Sequence, residues 1–162
     1  MPSTVADPAD AYQRFGPALV RKAQRMLRNR DDAVDVVHSL FADLLSQPET
    51  PMELPYLYRA VTHRCLNLVR DAQGRARLLA REQATVTPSS RLADGRRVLD
   101  VDLLGRLCDG LDADDLEVLV CRFVDEMTQE EIGEHLGLSR KTIGKRLARI
   151  QDQLVTLGAG AA

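Results

Sequence analysis

Residues 128–150, TQEEIGEHLGLSRKTIGKRLARI, have the spacing of two short helices joined by a tight turn. Thr128 stands three residues before Glu131, the arrangement of a capping box, in which hydroxyl and carboxylate each satisfy an otherwise orphaned backbone N–H. Ile132 and Leu136 then share a face, Gly137 suits a left-handed helix end, and Ser139 is placed to cap a second helix. Ile143, Leu147 and Ile150 give that second helix an inner face. Its opposite face carries Lys141, Gly144, Lys145 and Ala148, flanked by Thr142 and Arg149. A short helix braced on a partner, with small and cationic residues outward, suits the major groove of DNA. The reading is therefore a helix-turn-helix; a plain helical hairpin with a solvated basic face is the bland alternative.

Working outward, the 162-residue chain has room for one domain or two small ones. Its residues are 44% hydrophobic but only 4% aromatic, and Leu, Ala, Arg and Glu are abundant, which predicts an aliphatic, helical core. No apolar run approaches the roughly 18 residues of a membrane span. The opening MPSTVADPADAYQRF has neither the basic nor the apolar segment of a signal peptide, so the expected location is the cytoplasm. Cys65, Cys108 and Cys121 are widely spaced and read as reduced core thiols. His38, His63 and His135 are equally scattered, and no metal-ligand spacing links them to the cysteines.

A net charge of −2 looks unsuited to DNA until it is partitioned. Residues 1–55 hold 6 Lys/Arg and 8 Asp/Glu, a net −2, and residues 56–97 hold 9 and 3, a net +6. Residues 98–135 hold 2 and 12, a net −10, and residues 136–162 hold 5 and 1, a net +4. Two basic blocks are thus separated by an acidic one. Local potential attracts phosphate, so the chain has two candidate nucleic-acid surfaces. The acidic block either repels DNA and so orients its surroundings, or meets a basic partner.

Elsewhere the periodicity is helical. Tyr12, Phe15, Leu19, Val20, Ala23, Met26 and Leu27 predict a first helix, regular from Pro17. Asp31 or Asp32 is placed to cap a second, whose stripe is Val34, Val37, Leu40, Phe41, Leu44 and Leu45. Pro48 and Pro51 break the chain. A third helix is expected from near Pro55 into the low 80s, with Leu57, Val61, Leu68 and Leu79 inward. Residues 83–97, QATVTPSSRLADGRR, lose the period and read as a linker. Val98 to Cys108 and Asp112 to Val124 predict two more helices, the latter capped by Asp112 and packing Leu116, Leu119, Val120 and Phe123. The expected architecture is all-α: a first domain over 9–82 and a second over 98–156.

In this layout the chain resembles the extracytoplasmic-function (ECF) sigma factors of bacterial RNA polymerase, which join a region 2 domain to a region 4 domain. DDAVDVVHSLFADLL is similar to region 2.2, and the resemblance implies docking on the clamp helices of the polymerase β′ subunit. Asp35 and His38 would be polymerase-binding residues, His38 standing where the family usually has Gln. PYLYRAVTHRCLNLVRDAQGRARLL is similar to regions 2.3 and 2.4, which capture the non-template strand of the −10 element. Tyr56-Leu57 stands at the family's Trp-Leu pair and Arg70 at its final Arg. His63 replaces an Asn and Asn67 an Asp, so base preference is not transferable. Arg75, Arg77 and Arg81 extend the cationic run toward phosphate contact.

LDADDLEVLVCRFVDEMTQEEIGEHL and the helix after it resemble region 4, the reader of the −35 element. Glu131-Ile132, Leu136-Gly137, Ser139, Thr142-Ile143 and Arg146-Leu147 match the family's form. The resemblance places Lys141 and Lys145, with Thr142, nearest the bases, and Arg140, Arg146 and Arg149 toward the flanking phosphates. Gly144 departs from the pattern and weakens its helix by about 1 kcal/mol relative to Ala.

The function implied is a sigma factor that binds core RNA polymerase (the β′ clamp helices and the β subunit), directs it to promoter DNA and assists melting. Regulation by an anti-sigma factor is implied with it. Two rivals are an ordinary helix-turn-helix regulator that binds duplex DNA without polymerase, and a non-initiating mimic that titrates an anti-sigma factor. No nucleophile–base pair, paired-carboxylate site or metal cluster suggests an enzyme, and no cofactor is implied.

Overall fold

A computed structural model describes residues 7–47, 49–82 and 101–158, and among them every regular element is a helix. α1 (Pro8–Leu27), α2 (Arg30–Leu45) and α3 (Leu54–Glu82) form a first unit. α4 (Val101–Gly110), α5 (Ala113–Phe123), α6 (Gln129–Leu136) and α7 (Arg140–Thr156) form a second. The expected linker at 83–97 lies outside the described residues.

In the first unit α1 and α2 pack against each other and α3 lies across both. α1 begins earlier than its periodicity predicts. Asp7 caps the N–H of Ala9 at 3.0 Å, Pro8 occupies the first turn, and Pro17 sits inside the helix on its exposed side. A proline removes one backbone donor, and here tertiary packing of Leu19, Ala23 and Met26 holds the helix through it. α2 is capped by Asn29, which accepts from the N–H of Asp32 at 3.1 Å, and not by Asp31 or Asp32. Those two carboxylates instead fill the first turn, where the helix dipole favours them.

The inward stripes also shift by about a quarter turn in places. On α2 the buried set is Ala33, Val36, Val37, Leu40, Phe41 and Leu44, while Leu45 is 67% exposed. On α3 Leu57 and Val61 are fully buried as expected, but the stripe continues through Cys65, Leu66 and Val69. Leu68 is 38% exposed and Leu79 62%, because the first unit's core ends before α3 does.

The second unit is built on α5. Asp112 caps it at 2.8 Å, and Leu116, Leu119 and Val120 are fully buried. Phe123, expected inside, is 38% exposed at the helix end. The α6–α7 pair has the predicted construction. Thr128 and Glu131 make both capping-box bonds, at 2.7 and 3.2 Å, and Gly137 ends α6 at φ 68°. Ser139 caps α7 through the N–H of Thr142 at 3.2 Å. Inside this corner Gly133 lies under the Leu138 carbonyl, which would stand 2.7 Å from a Cβ, so the chain passes where a side chain would fill the gap. Ile132, Ile143 and Ile150 close the seam. Each fully buried aliphatic side chain contributes about 1.5–3 kcal/mol.

The two units are in contact. α3 packs along α4 and meets α5, and Lys22 of α1 reaches Asp125, the residue after the α5 cap.

Candidate nucleic-acid interface

α2 presents Asp35 and His38 outward while its buried stripe fixes the helix from behind. His38 is not free to swing. Its Nε2 lies 2.7 Å from the Tyr12 hydroxyl, and the Tyr12 ring stands edge-on to buried Phe41. One ring nitrogen is thereby engaged inside the protein, which leaves Nδ1 for an outside partner. Beside it Arg64 donates to Asp43 at 2.5 Å and to Ser39 at 3.0 Å, tying α3 to α2.

α3 carries the second surface. At about 100° per residue, Tyr56, His63, Asn67 and Arg70 fall within an arc of roughly 60°, and all four are exposed. Arg77 and Arg81 continue that arc; Arg75 lies well round the helix from it. Arg59, not singled out by sequence, also lies on this face. A 29-residue helix makes the face continuous.

Much of this face meets the second unit. Glu117 of α5 accepts from Arg59 Nε at 2.6 Å and from Nη2 at 3.3 Å, and stands 3.6 Å from His63 Nε2. Arg77 pairs with Asp109 of α4, and Arg70 lies near enough to Cys108 to favour its thiolate, although burial wins and raises the thiol's pKa. Burial alone would push the Glu117 carboxyl up, but the nearby His63 and the hydrogen-bonded Arg59 outweigh it and hold it at about 2. Deeper in the seam Lys22, 1% exposed, donates to Asp125 Oδ2 at 2.5 Å and lies over the Tyr58 ring. No sequence pattern marks Lys22, since it lies on α1 far from its partner along the chain.

α7 offers the third surface. Lys141 and Lys145 are exposed, and Arg140 is loosely paired with Glu130 at 3.5 Å. Thr142 serves the helix cap, its Oγ1 2.9 Å from Ser139 Oγ. Arg146 is mostly buried and points into the unit, donating to Asp115 at 3.0 Å with Asp114 at 3.6 Å. Arg149 shares Asp115 at 3.1 Å. These two arginines brace α7 on α5, whereas the two lysines are exposed. Gly144 is open enough that a Cβ there meets only Gln129, at 3.9 Å.

A further basic groove of about 580 Å³ lies beside α1, lined by Arg21, Arg25, Arg28, Gln24 and Tyr58. The signal for it in sequence is the 21, 25, 28 spacing, which places three guanidinia on one helix side. Burial pushes the Cys65 and Cys121 thiols up to about 12, which makes both poor nucleophiles. Among the described residues no group of three His, Cys, Asp or Glu is placed to hold a metal ion. No described helix is long and apolar enough to cross a membrane.

These features define a two-unit helical protein with a helix-turn-helix and a separate cationic helix face, a class made for nucleic acid. Comparison with protein families sharpens this. Sigma-70 region 2 matches residues 11–75, which span α1, α2 and most of α3. Sigma-70 region 4 matches residues 108–154, from the end of α4 into α7. The chain belongs to the sigma-70 family, whose members act in transcription initiation through core RNA polymerase and promoter DNA and are not enzymes. Comparison with curated proteins and with solved structures gives no match.

Proposed function

We propose that this chain is an ECF-type sigma factor that recognises a bipartite promoter and helps to open it. The carrying observation is that region 2 and region 4 occur in order in one chain, with only the residues between Glu82 and Val101 separating their helices. α2 docks on the β′ clamp helices of core polymerase through Asp35, with His38 presented by Tyr12. The α3 face takes the −10 non-template strand, Tyr56 offering a ring for stacking and Arg59, Arg70 and Arg77 offering guanidinia to phosphate. His63 and Asn67 set the base preference. α7 enters the −35 major groove with Lys141 and Lys145 foremost and Arg140 at the flank. Arg146 and Arg149 hold the helix at its angle. An anti-sigma factor that masks these surfaces regulates the protein.

Transcription reconstituted with core polymerase on the promoter upstream of the chain's own gene tests this, with Asp35→Arg beside wild type. Specific transcripts from wild type and their loss in the variant are expected. Failure of the chain to bind core or to initiate would overturn the reading. In that event duplex binding by the chain alone would mark a polymerase-independent regulator.

A further inference from the structure

The basic groove beside α1 is used by neither the polymerase-docking residues nor the two promoter surfaces. Arg21, Arg25 and Arg28 recur at i, i+4 and i+7, which brings three guanidinia to one side of the helix. At about 100° per residue that side lies roughly 160–220° round α1 from Tyr12, whose hydroxyl meets His38. Tyr58, which lines the groove from α3, likewise lies roughly 120–160° round its helix from Tyr56, His63 and Arg70.

The charge in this groove is uncompensated. Among the described residues Arg21 and Arg28 are met by no carboxylate. Arg25 has only Asp125, and at 3.8 Å from Oδ1 it makes no hydrogen bond, because Lys22 holds that carboxylate through Oδ2 at 2.5 Å. Like charges at helical spacing repel one another, so the free chain carries a cost that an anion between them would relieve. The backbone adds a second sign. Arg28 ends α1 in the left-handed region at φ 56°, where helices usually place glycine. An arginine is less comfortable there than glycine, and its guanidinium completes the groove.

Shape and lining narrow the ligand. A volume of about 580 Å³ falls within the roughly 300–1,000 Å³ of small-molecule sites. Guanidinia present paired N–H donors that match phosphate oxygens two at a time. Tyr58 supplies an aromatic wall for a base, with Lys22 Nζ 5.0 Å from the ring centroid. Gln24 offers both a donor and an acceptor to a base edge or a sugar hydroxyl. The cationic stretch is also short. Asp31 and Asp32 follow it, exposed, at the start of α2, and Asp125 bounds it beside Arg25. A continuing nucleic-acid strand would meet those carboxylates, whereas one compact polyphosphate would not.

We propose that the α1 groove binds a nucleoside di- or triphosphate, its phosphates on Arg21, Arg25 and Arg28 and its base beside Tyr58. The site stands apart from the surfaces assigned to polymerase and promoter, so the proposal does not depend on the sigma-factor reading.

Calorimetric titration of the free full chain with ATP, GTP, inorganic pyrophosphate and adenosine, at about 0.15 M salt, tests it. One-to-one binding of at least one nucleotide at micromolar affinity is expected, with pyrophosphate about tenfold weaker and adenosine not binding. Arg25→Ala should weaken the nucleotide by about tenfold or more, the loss of one charge-assisted contact. Arg28→Gly should weaken it similarly while melting no lower than wild type, since glycine suits that backbone, which separates loss of the site from loss of the fold. Arg106→Ala, which removes an exposed arginine of α4, should leave binding unchanged. Absence of saturable nucleotide binding, or equal weakening in all three variants, would overturn the proposal. An oligothymidylate of about 20 nucleotides distinguishes the other source of phosphate. If the groove variants weaken the oligonucleotide and spare the nucleotide, the groove follows a DNA strand and the proposal fails.

Discussion

α3 and α7 are both cationic helices facing away from an aliphatic core, yet their charges are in different states. On α7 the outermost lysines, Lys141 and Lys145, are exposed, while Arg146 and Arg149 are spent on Asp115 inside their own unit. On α3 Arg59, His63 and Arg77 are met by carboxylates of the other unit. A cation on a helix surface therefore does not by itself mark a nucleic-acid contact; its partner decides. The α7 arginine pairs are architectural, because they fix one helix of a unit on another. The α3 pairs lie between units.

The largest break in this comparison comes at Lys22. Lys22→Met takes the hydrogen-bonded cation from the buried Asp125 carboxylate and leaves it only Arg25, 3.8 Å from an Oδ1 that has no hydrogen-bond partner even now. The expected loss is about 3–5 kcal/mol, read as a fall in Tm of roughly 10 °C. Lys22→Met with Asp125→Leu should recover most of it; no recovery would mean the pair is not the cause.

Asp115→Ala tests the architectural side. It strips the close acceptor from Arg146 and Arg149 and should cost about 2–3 kcal/mol, with duplex binding lost alongside stability. Lys145→Ala is its counterpart. Denaturation should show a change within about 0.5 kcal/mol, while affinity for the −35 duplex falls and the slope of log K against log salt drops by about 0.9 if the contact is to phosphate. The two variants behaving alike in a urea titration would erase the distinction.

Smaller still, Thr128→Ala should cost about 1 kcal/mol by opening the capping box of α6. pH then sharpens the contrast at the seam. Glu117 titrates near 2 in the folded chain against an ordinary 4.5. A carboxyl lowered on folding contributes stability above its unfolded value and loses it as pH falls through the folded one. The stability difference between wild type and Glu117→Gln should therefore be full above about pH 4.5 and shrink toward pH 2. A difference independent of pH would place the effect elsewhere.

Much of this was legible in the residues. The capping box, the Gly137 turn and the Ser139 cap are local features, fixed by groups within three or four positions of each other, and the structure has them as read. Helix existence was equally legible, because the 3.6-residue period is written in Leu, Val and Ile. The choice of inward stripe was less so. Leu45, Leu68, Leu79 and Phe123 are apolar and correctly phased to within a turn, yet they are exposed, since only the extent of the facing helices decides where a core ends. Pro17 misplaced the start of α1 because its local cost is outweighed by packing that the sequence does not display.

By itself, then, the sequence determined an all-helical chain, a helix-turn-helix, and a charge pattern of basic, acidic and basic blocks. The tertiary structure alone decided where those charges go: Arg146 inward to Asp115, Glu117 across to Arg59 and His63, Lys22 to a carboxylate 103 residues away. The reason is physical. Helix periods and caps depend on neighbours along the chain, whereas an ion pair depends on which surfaces meet, and that is set only when the whole chain has packed.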